Sequence, residues 1–261
     1  MSDLENIKDL LSEELNLVHL EYEQHIHSQV PLLEEVNSYI LLHRGKELRS
    51  LLVLLSAAVP SASSLAISPS VIKYAAVVEM LHNASLLHDD VVDQSPLRRG
   101  SQSVPYHWNS RLAILCGDYY LAQVMRLLQE TDDKEAMRIV NHTVIEMSEG
   151  EILQQQYIAD AQLDSAVYYE ILRRKTASLM QASCQLGNPS MQSFGLHYGM
   201  AFQLWDDIND YDEDLAIAKP PVEVLQKEKQ RHLAAAFDLI TPFPSSKYKD
   251  AITSLLEILN S

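Results

Sequence analysis

Ser85-Leu86-Leu87-His88-Asp89-Asp90-Val91-Val92-Asp93 sets three carboxylates behind an apolar run. Upstream, Ser68-Pro69 is a good helix start, with Ser as N-cap and Pro at the first helical position. No Gly and no further Pro interrupts the chain from there to Asp93. The stretch therefore reads as one long apolar helix with acidic residues at its C-terminal end. On it, Asp89 and Asp93 are one turn apart and share a face, while Asp90 points about a third of a turn away. Aligned carboxylates repel unless a cation or protons stand between them. Oxygen-only donors with open positions suit Mg²⁺, which keeps waters and takes substrate phosphates as its remaining ligands. The bland alternative is a solvated acidic helix end. Carboxylates at a helix C-terminus, however, work against the macrodipole. Bound cations explain that cost; stability does not.

The acidic spacing recurs in Ala201-Phe202-Gln203-Leu204-Trp205-Asp206-Asp207-Ile208-Asn209-Asp210, late in a second apolar helix. Two such helices facing each other would make a carboxylate-lined mouth over an apolar cavity. Basic residues accompany the motifs. Gly45-Lys46-Glu47-Leu48-Arg49 puts Lys46 and Arg49 three apart, on one helical face; Arg98-Arg99 follow the first motif; Lys175-Thr176 sit inside a predicted helix. Singly, each is more often a surface charge or ion-pair partner. Together they suit a diphosphate.

The chain has 261 residues, 47% of them hydrophobic, enough for a full core. Gly is scarce, and Leu, Ala and Glu are common, which favours helix. A net charge of −16 argues against nucleic acid but not against an anionic substrate in a locally basic pocket. Cys116 and Cys184 lie in apolar surroundings and read as buried thiols of a reducing compartment. The acidic N-terminus lacks a leader's basic region, and the most apolar stretch, residues 51–59, is too short to span a bilayer. A soluble, cytoplasmic protein is expected.

Helical periodicity runs over residues 3–27, from Pro31 to about Leu42, over 47–59, from 69 to 93, over 109–129, from an Asp132/Glu135 capping box onward, from Asp164 to Gly187, over 190–210, between Pro221 and Pro242, and over 248–259. Residues 94–105 read as a loop and no strand is expected. With no composition shift, the expectation is one all-α domain over residues 1–261: a bundle of about ten helices around a central apolar cavity.

The run LLHDDVVDQSPLRRG at 86–100 resembles the first aspartate-rich signature of trans-isoprenyl diphosphate (polyprenyl) synthases. GKELR at 45–49, GDYYLA at 117–122, KTA at 175–177 and FQLWDDIND at 202–210 match in order and spacing. The resemblance covers about residues 40–215. It implies an all-α, homodimeric, Mg²⁺-dependent prenyltransferase that adds isopentenyl diphosphate head-to-tail to an allylic diphosphate. By that resemblance Asp89, Asp93, Asp206 and Asp210 hold the metal, with Asp90 and Asp207 assisting. Arg98, Lys175, Thr176 and Gln203 meet the allylic diphosphate and its reacting carbons. Lys46, Arg49, His82 and Arg99 bind isopentenyl diphosphate. His82 without the resemblance would read as a core histidine, and His88 receives no role.

Product length follows from walking back along the first helix from Asp89, about 1.5 Å per residue. In the family, aromatics four or five positions before the motif close the pocket. Here Ser85 and Ala84 are small, with Leu81 deeper, so a medium or long chain of the quinone side-chain type is expected, rather than a geranylgeranyl or shorter product. Tyr119, Tyr120 or Met80 would form a floor farther down. The chain departs from the family pattern after the second motif: Tyr211–Leu215 leads almost directly to Ala218-Lys219-Pro220-Pro221, and the usual basic C-terminal tail is missing. Lys219 matches one of the family's flap lysines, the sequence leaving open which; closure over the substrates is left open too, and either a lower activity or a need for the dimer to cover the site would follow. Two other classes share some features. A class I terpene cyclase needs no isopentenyl site, whereas Lys46, Arg49 and Arg99 are present. A non-catalytic partner subunit tends to lose acidic motifs, whereas both are intact.

Overall fold

A computed structural model describes residues 2–60, 67–160, 164–211 and 219–260. The elements are α1 Ser2–Leu10, α2 Ser12–Ile26, α3 Pro31–Leu42, α4 Leu48–Ala58, α5 Pro69–Val92, β1 Leu97–Arg98, β2 Ser101–Gln102, α6 Val104–His107, α7 Ser110–Thr131, α8 Lys134–Asp160, α9 Ser165–Leu172, α10 Ser178–Gly187, α11 Gln192–Asn209, α12 Val222–Ile240 and α13 Lys247–Asn260. The fold is all-α, as expected. The described chain forms two compact units: Met1–Leu11 with Leu52–Ile67 and Arg138–Ser261, and Ser12–Leu51 with Ser68–Met137. The first acidic motif belongs to the second of these, the other motif to the first.

Local chemistry explains most boundaries. The Ser68 side chain accepts the Val71 N–H with Pro69 behind it, and α5 runs uninterrupted for 24 residues. Asn109 caps α7 and Asp164 caps α9 in the same way. Leu51 to Leu55 are fully buried, so the apolar turns of α4 lie in the core. α5 packs along α7 and α2 in one unit; α11 lies against α10 and α12 in the other. Both cysteines are buried and free.

Several expectations need correction. The run 3–27 is broken at Leu11 into α1 and α2. The cap of α8 is Asp133, whose Oδ1 accepts the Glu135 and Ala136 N–H groups; Asp132 instead ends α7 in the left-handed region (φ 51°). The loop at 94–105 holds a two-residue antiparallel pair, Leu97↔Gln102 and Arg98↔Ser101, followed by the short α6. Its turn residues Arg99 (φ 53°) and Gly100 (φ 78°) are both left-handed, as a type I′ hairpin requires. Gly100 adopts that conformation without strain, whereas a β-carbon makes it costly for Arg99. Lys46 and Arg49 do not share a helical face: Glu47 is left-handed (φ 56°) and α4 starts only at Leu48. The segment 212–218, where the chain was expected to be short, lies outside the described residues.

Where α11 meets α12, the Nδ1 atoms of His197 and His232 are 2.9 Å apart, so one ring donates and the other accepts. Burial, then the neighbouring His197 and Arg231, push the His232 pKa down to about 4 from its ordinary 6.5. Below pH 6.5 the unfolded chain therefore binds the proton that the folded chain refuses, and stability falls as pH drops from about 6.5 to 4. The expected contribution is on the order of 2 kcal/mol. Denaturant midpoints at pH 7.5 and 4.5 check it: His232→Gln should lose less stability on acidification than the parent. An equal loss in both proteins would refute the assignment.

Candidate active site

The first acidic motif closes α5. Asp89 is half-buried, Asp93 is exposed at the C-cap, and Asp90 is 3% exposed and turned inward. That inward turn follows from the 100° step between neighbouring helix residues. Asp90 Oδ1 accepts from both Nε (2.8 Å) and Nη2 of Arg98. Burial raises the Asp90 pKa, and Arg98 opposes that shift. The hairpin thus delivers Arg98 to the acidic helix. Its neighbour Arg99 turns the other way and donates Nη1–H to the His43 carbonyl at 3.0 Å. His88 contacts the Ile114 carbonyl and Asp118 on α7.

The residues around His82 form a positive cluster within the same unit. Burial first, then Arg49, Arg99 and Arg98, hold the His82 pKa well below its ordinary range, so the ring is neutral. Glu79, one turn earlier on α5 and 8% exposed, accepts the Ser50 N–H at 3.2 Å. Burial raises its pKa against the pull of Arg49. Sequence reasoning missed Glu79. The available signal was a lone carboxylate in the apolar run from Ala75 to Leu81. It ties the first turn of α4, and so Arg49, to α5.

The second motif is held differently. Residues Arg173–Ala177 form a π-helical turn between α9 and α10, an irregularity frequent at functional sites. α8 approaches it at Gly150, where a β-carbon would stand 2.8 Å from the Lys175 nitrogen, so only glycine permits this contact. Glu170 accepts from Arg173 and Arg174, which depress its pKa to about 2 and pin the turn. Lys175 Nζ lies 3.3 Å from Gln154 Oε1 and 2.5 Å from Glu151 Oε2. Thr176 donates its hydroxyl to Gln203 Oε1 on α11 at 2.8 Å. Gln203 Nε2 donates to Asp207 Oδ1 at 2.9 Å, and the Tyr168 hydroxyl donates to Asp207 Oδ2. Asp206 is half-buried and Asp210 exposed at the end of α11. Lys219 Nζ reaches the Asp210 carbonyl at 3.5 Å. Sequence reasoning paired Thr176 with Gln203 in role, and the structure brings them together. It missed Tyr168, which no motif marks.

Each acidic motif taken by itself offers oxygen donors only, Asp89 and Asp93 on α5 and Asp206 and Asp210 on α11, and such donors suit Mg²⁺ rather than a metal that prefers thiolate or imidazole. Among the described residues no group of three or more His, Cys, Asp or Glu is gathered to hold a metal by itself. An ion that takes much of its coordination from waters and phosphate needs none. The inward Asp90 gives a stability prediction. Arg98→Ala leaves a buried carboxylate without its guanidinium and should cost about 2–3 kcal/mol. Denaturant unfolding checks this, and a loss under about 0.5 kcal/mol, the usual range for a surface substitution, would show the pair to be incidental.

A family model described as polyprenyl synthetase matches residues 30–230. Heptaprenyl diphosphate synthase component 2 of Bacillus subtilis is 35% identical over 212 residues, 77% of this chain and 60% of that protein. All-trans-nonaprenyl-diphosphate synthase (geranyl-diphosphate specific) of Rhodobacter capsulatus is 35% identical over 198 residues, 72% of this chain and 60% of that protein. The chain thus spans about 60% of the length of these curated relatives. A crystal structure of a polyprenyl synthase from Caulobacter crescentus CB15, complexed with calcium and isoprenyl diphosphate, superposes with a TM-score of 0.88 at 24% identity, covering 98% of this chain and 97% of that one. With a family match across most of its length and the family's signatures in order, the chain belongs to the polyprenyl synthetase family.

Proposed function

We propose that the chain is a Mg²⁺-dependent prenyltransferase, condensing isopentenyl diphosphate head-to-tail with an allylic diphosphate to give a trans-polyprenyl diphosphate longer than farnesyl. The observation that carries this is the π-turn: it holds the Thr176 hydroxyl on Gln203, one helical turn before Asp206, with Lys175 beside it. An allylic substrate needs its diphosphate bound, its reacting carbons among oxygen dipoles and water excluded.

Asp89, Asp93, Asp206 and Asp210 would hold Mg²⁺, which, when bound, neutralises the charge developing on the departing diphosphate. Arg98, fixed by Asp90, and Lys175 add charge-assisted hydrogen bonds to the same group. Thr176 and Gln203 face the carbons that become electron-poor with oxygen atoms too weakly nucleophilic to trap them. Lys46, Arg49 and Arg99 bind the diphosphate of isopentenyl diphosphate. The neutral His82 donates a hydrogen bond without adding charge to an already cationic pocket. The double bond of isopentenyl diphosphate attacks the allylic carbon to form the new carbon–carbon bond, and the adduct then loses a proton, for which the released diphosphate is a competent base, to form the new double bond. Long products are supported by the small Ser85 and Ala84 above Leu81, and by relatives whose names specify hepta- and nonaprenyl products.

A homodimer in the cytoplasm completes the reading. α7 exposes Ile114, Leu115 and Met125, and α8 exposes Met137, Ile145 and Ile152, faces suited to burial against a second copy. No helix among the described residues is long and apolar enough to cross a membrane. The name of the Bacillus subtilis relative, a component 2, favours a second version in which another subunit is required for turnover.

The test uses purified protein, Mg²⁺, isopentenyl diphosphate and geranyl or farnesyl diphosphate, with products identified by mass. Elongation by successive five-carbon units is expected. A hydrocarbon formed from the primer alone would replace the proposal with a cyclase. Turnover only on adding a second subunit would select the two-component version.

A further inference from the structure

Asp206 and Asp207 are neighbours on α11, so their side chains diverge by about 100° and cannot serve the same ligand equally. Asp206 is half-buried; Asp207 is 8% exposed and faces α9. Both of its oxygens accept: Oδ1 from Gln203 Nε2 at 2.9 Å, Oδ2 from the Tyr168 hydroxyl. Tyr168 is 1% exposed, set in a core cluster with Tyr157, Leu172, Ala177 and Leu204, so its hydroxyl is a fixed donor.

The chemistry of the chain sets the orientation of the Gln203 amide. A carboxylate only accepts hydrogen bonds, so the end of the amide that faces Asp207 must be the NH₂. The carbonyl end must then face Thr176, whose hydroxyl donates to it at 2.8 Å. Turning the amide over would set its carbonyl oxygen against the carboxylate and lose the bond to Asp207, while the Thr176 hydroxyl would have to change from donor to acceptor. The first motif shows the same division: its second aspartate, Asp90, is also turned inward and engaged by protein, on Arg98.

We propose that Asp207 is a positioning residue and not a metal ligand: backed by Tyr168, it locks the Gln203 amide with its carbonyl, never its N–H groups, toward Thr176 and the reacting carbons. The assignment rests on the prenyltransferase reading above. An oxygen dipole stabilises positive charge developing on an allylic carbon, and an amide NH₂ in the same place opposes it. Losing the lock therefore raises the barrier without weakening substrate binding.

Four substitutions, one pair of them also combined, and two readouts test this. In Asp207→Asn the new amide can donate or accept, so Gln203 is free to turn. The expected result is a fall in kcat of about ten- to a hundredfold, with KM for both substrates within about twofold, since only the transition state loses an interaction. Tyr168→Phe, which removes one hydroxyl from a side chain that still fills the core, should fall the same way by less. In a Gln203→Leu background the Asp207→Asn change should add no more than about twofold, because the lock has nothing left to hold. The second readout is calorimetric Mg²⁺ binding in the presence of inorganic pyrophosphate. It should be unchanged in Asp207→Asn and weakened at least about tenfold in Asp206→Asn. Multiplicative kcat losses in the double variant, or Mg²⁺ binding weakened equally in both single variants, would overturn the positioning role. Should Asp207→Asn fail to fold, Tyr168→Phe decides: unchanged kcat overturns the proposal. A parent protein without turnover under any primer or subunit would instead overturn the prenyltransferase reading, and is told apart by that control.

Discussion

Asp89→Asn is expected to lower kcat/KM by about a thousandfold while leaving the melting temperature unchanged or slightly higher. The first half follows from the charge the diphosphate develops as it leaves. If Asp89 holds Mg²⁺ as proposed, a metal-borne stabilisation of several kcal/mol is lost when that carboxylate becomes a neutral amide, and about 4 kcal/mol is a factor of a thousand. The second half follows from where Asp89 sits. It occupies the last turn of α5, where a negative charge opposes the helix dipole, and removing it should return about 0.3–1 kcal/mol. Activity and stability then move in opposite directions, which is the mark of a residue retained for chemistry at the expense of the fold. Asp206→Asn, at the corresponding place on α11, should behave alike. Asp90→Asn should not: its carboxylate is buried on Arg98, so stability is expected to fall together with activity. Kinetics and thermal unfolding of the three variants separate the roles. A coupled fall of activity and melting temperature in Asp89→Asn would make that residue structural too.

The contrast between Asp89 and Asp90 shows where sequence patterns reach and where they stop. The spacing of the carboxylates is visible in the sequence, and helical geometry alone puts Asp90 off the face shared by Asp89 and Asp93. What it points at is not visible, because Arg98 arrives through a hairpin whose turn depends on Arg99 tolerating a left-handed backbone. The helices themselves were legible wherever a local rule decides: Ser68-Pro69 starts α5, Asp164 starts α9, and the apolar run of α4 is buried. Rules failed where packing overrides them. Asp132 and Asp133 are equally good caps on paper, and the choice fell to the residue left over once α7 had ended in a left-handed turn. Lys46 left its helix because Glu47, held by His19 Nε2 at 2.6 Å, adopts a conformation that no helix interior accepts. The π-turn at Arg173–Ala177 has no sequence signature; its surroundings, Gly150 on α8 close against it and Glu170 on both arginines, are set by packing between distant segments. Glu79 and Tyr168 are invisible for a related reason. Each sits beside a side chain that a motif does name, Arg49 for Glu79 and Asp207 for Tyr168, and so carries no motif of its own.

The other large effect concerns product length. Ser85→Phe is expected to shift the product from a long chain to one no longer than farnesyl diphosphate, with elongation stopping early rather than slowing throughout. Ser85 lies one turn before Asp89, about 6 Å along α5, and Ala84 about 7.5 Å away. The Ser85 hydroxyl is folded back on the helix, donating to the His82 carbonyl at 2.9 Å, so at present the residue offers little bulk and no free donor to a growing chain. A phenyl ring there fills the space the hydrocarbon must enter. Ser85 is half-buried, so the larger side chain should be accommodated at little cost to folding. Ala84 is completely buried, and Ala84→Phe should shorten the product as well but at about 1–3 kcal/mol in stability from overpacking. Leu81→Ala, deeper on the same helix, should act in the opposite direction and lengthen the product, because it removes bulk where the chain would next arrive. Product mass distributions at matched turnover decide the matter. Distributions unchanged in both Ser85→Phe and Leu81→Ala would remove α5 as the ruler. The length limit would then have to lie with other side chains, such as Tyr120, which is fully buried on α7.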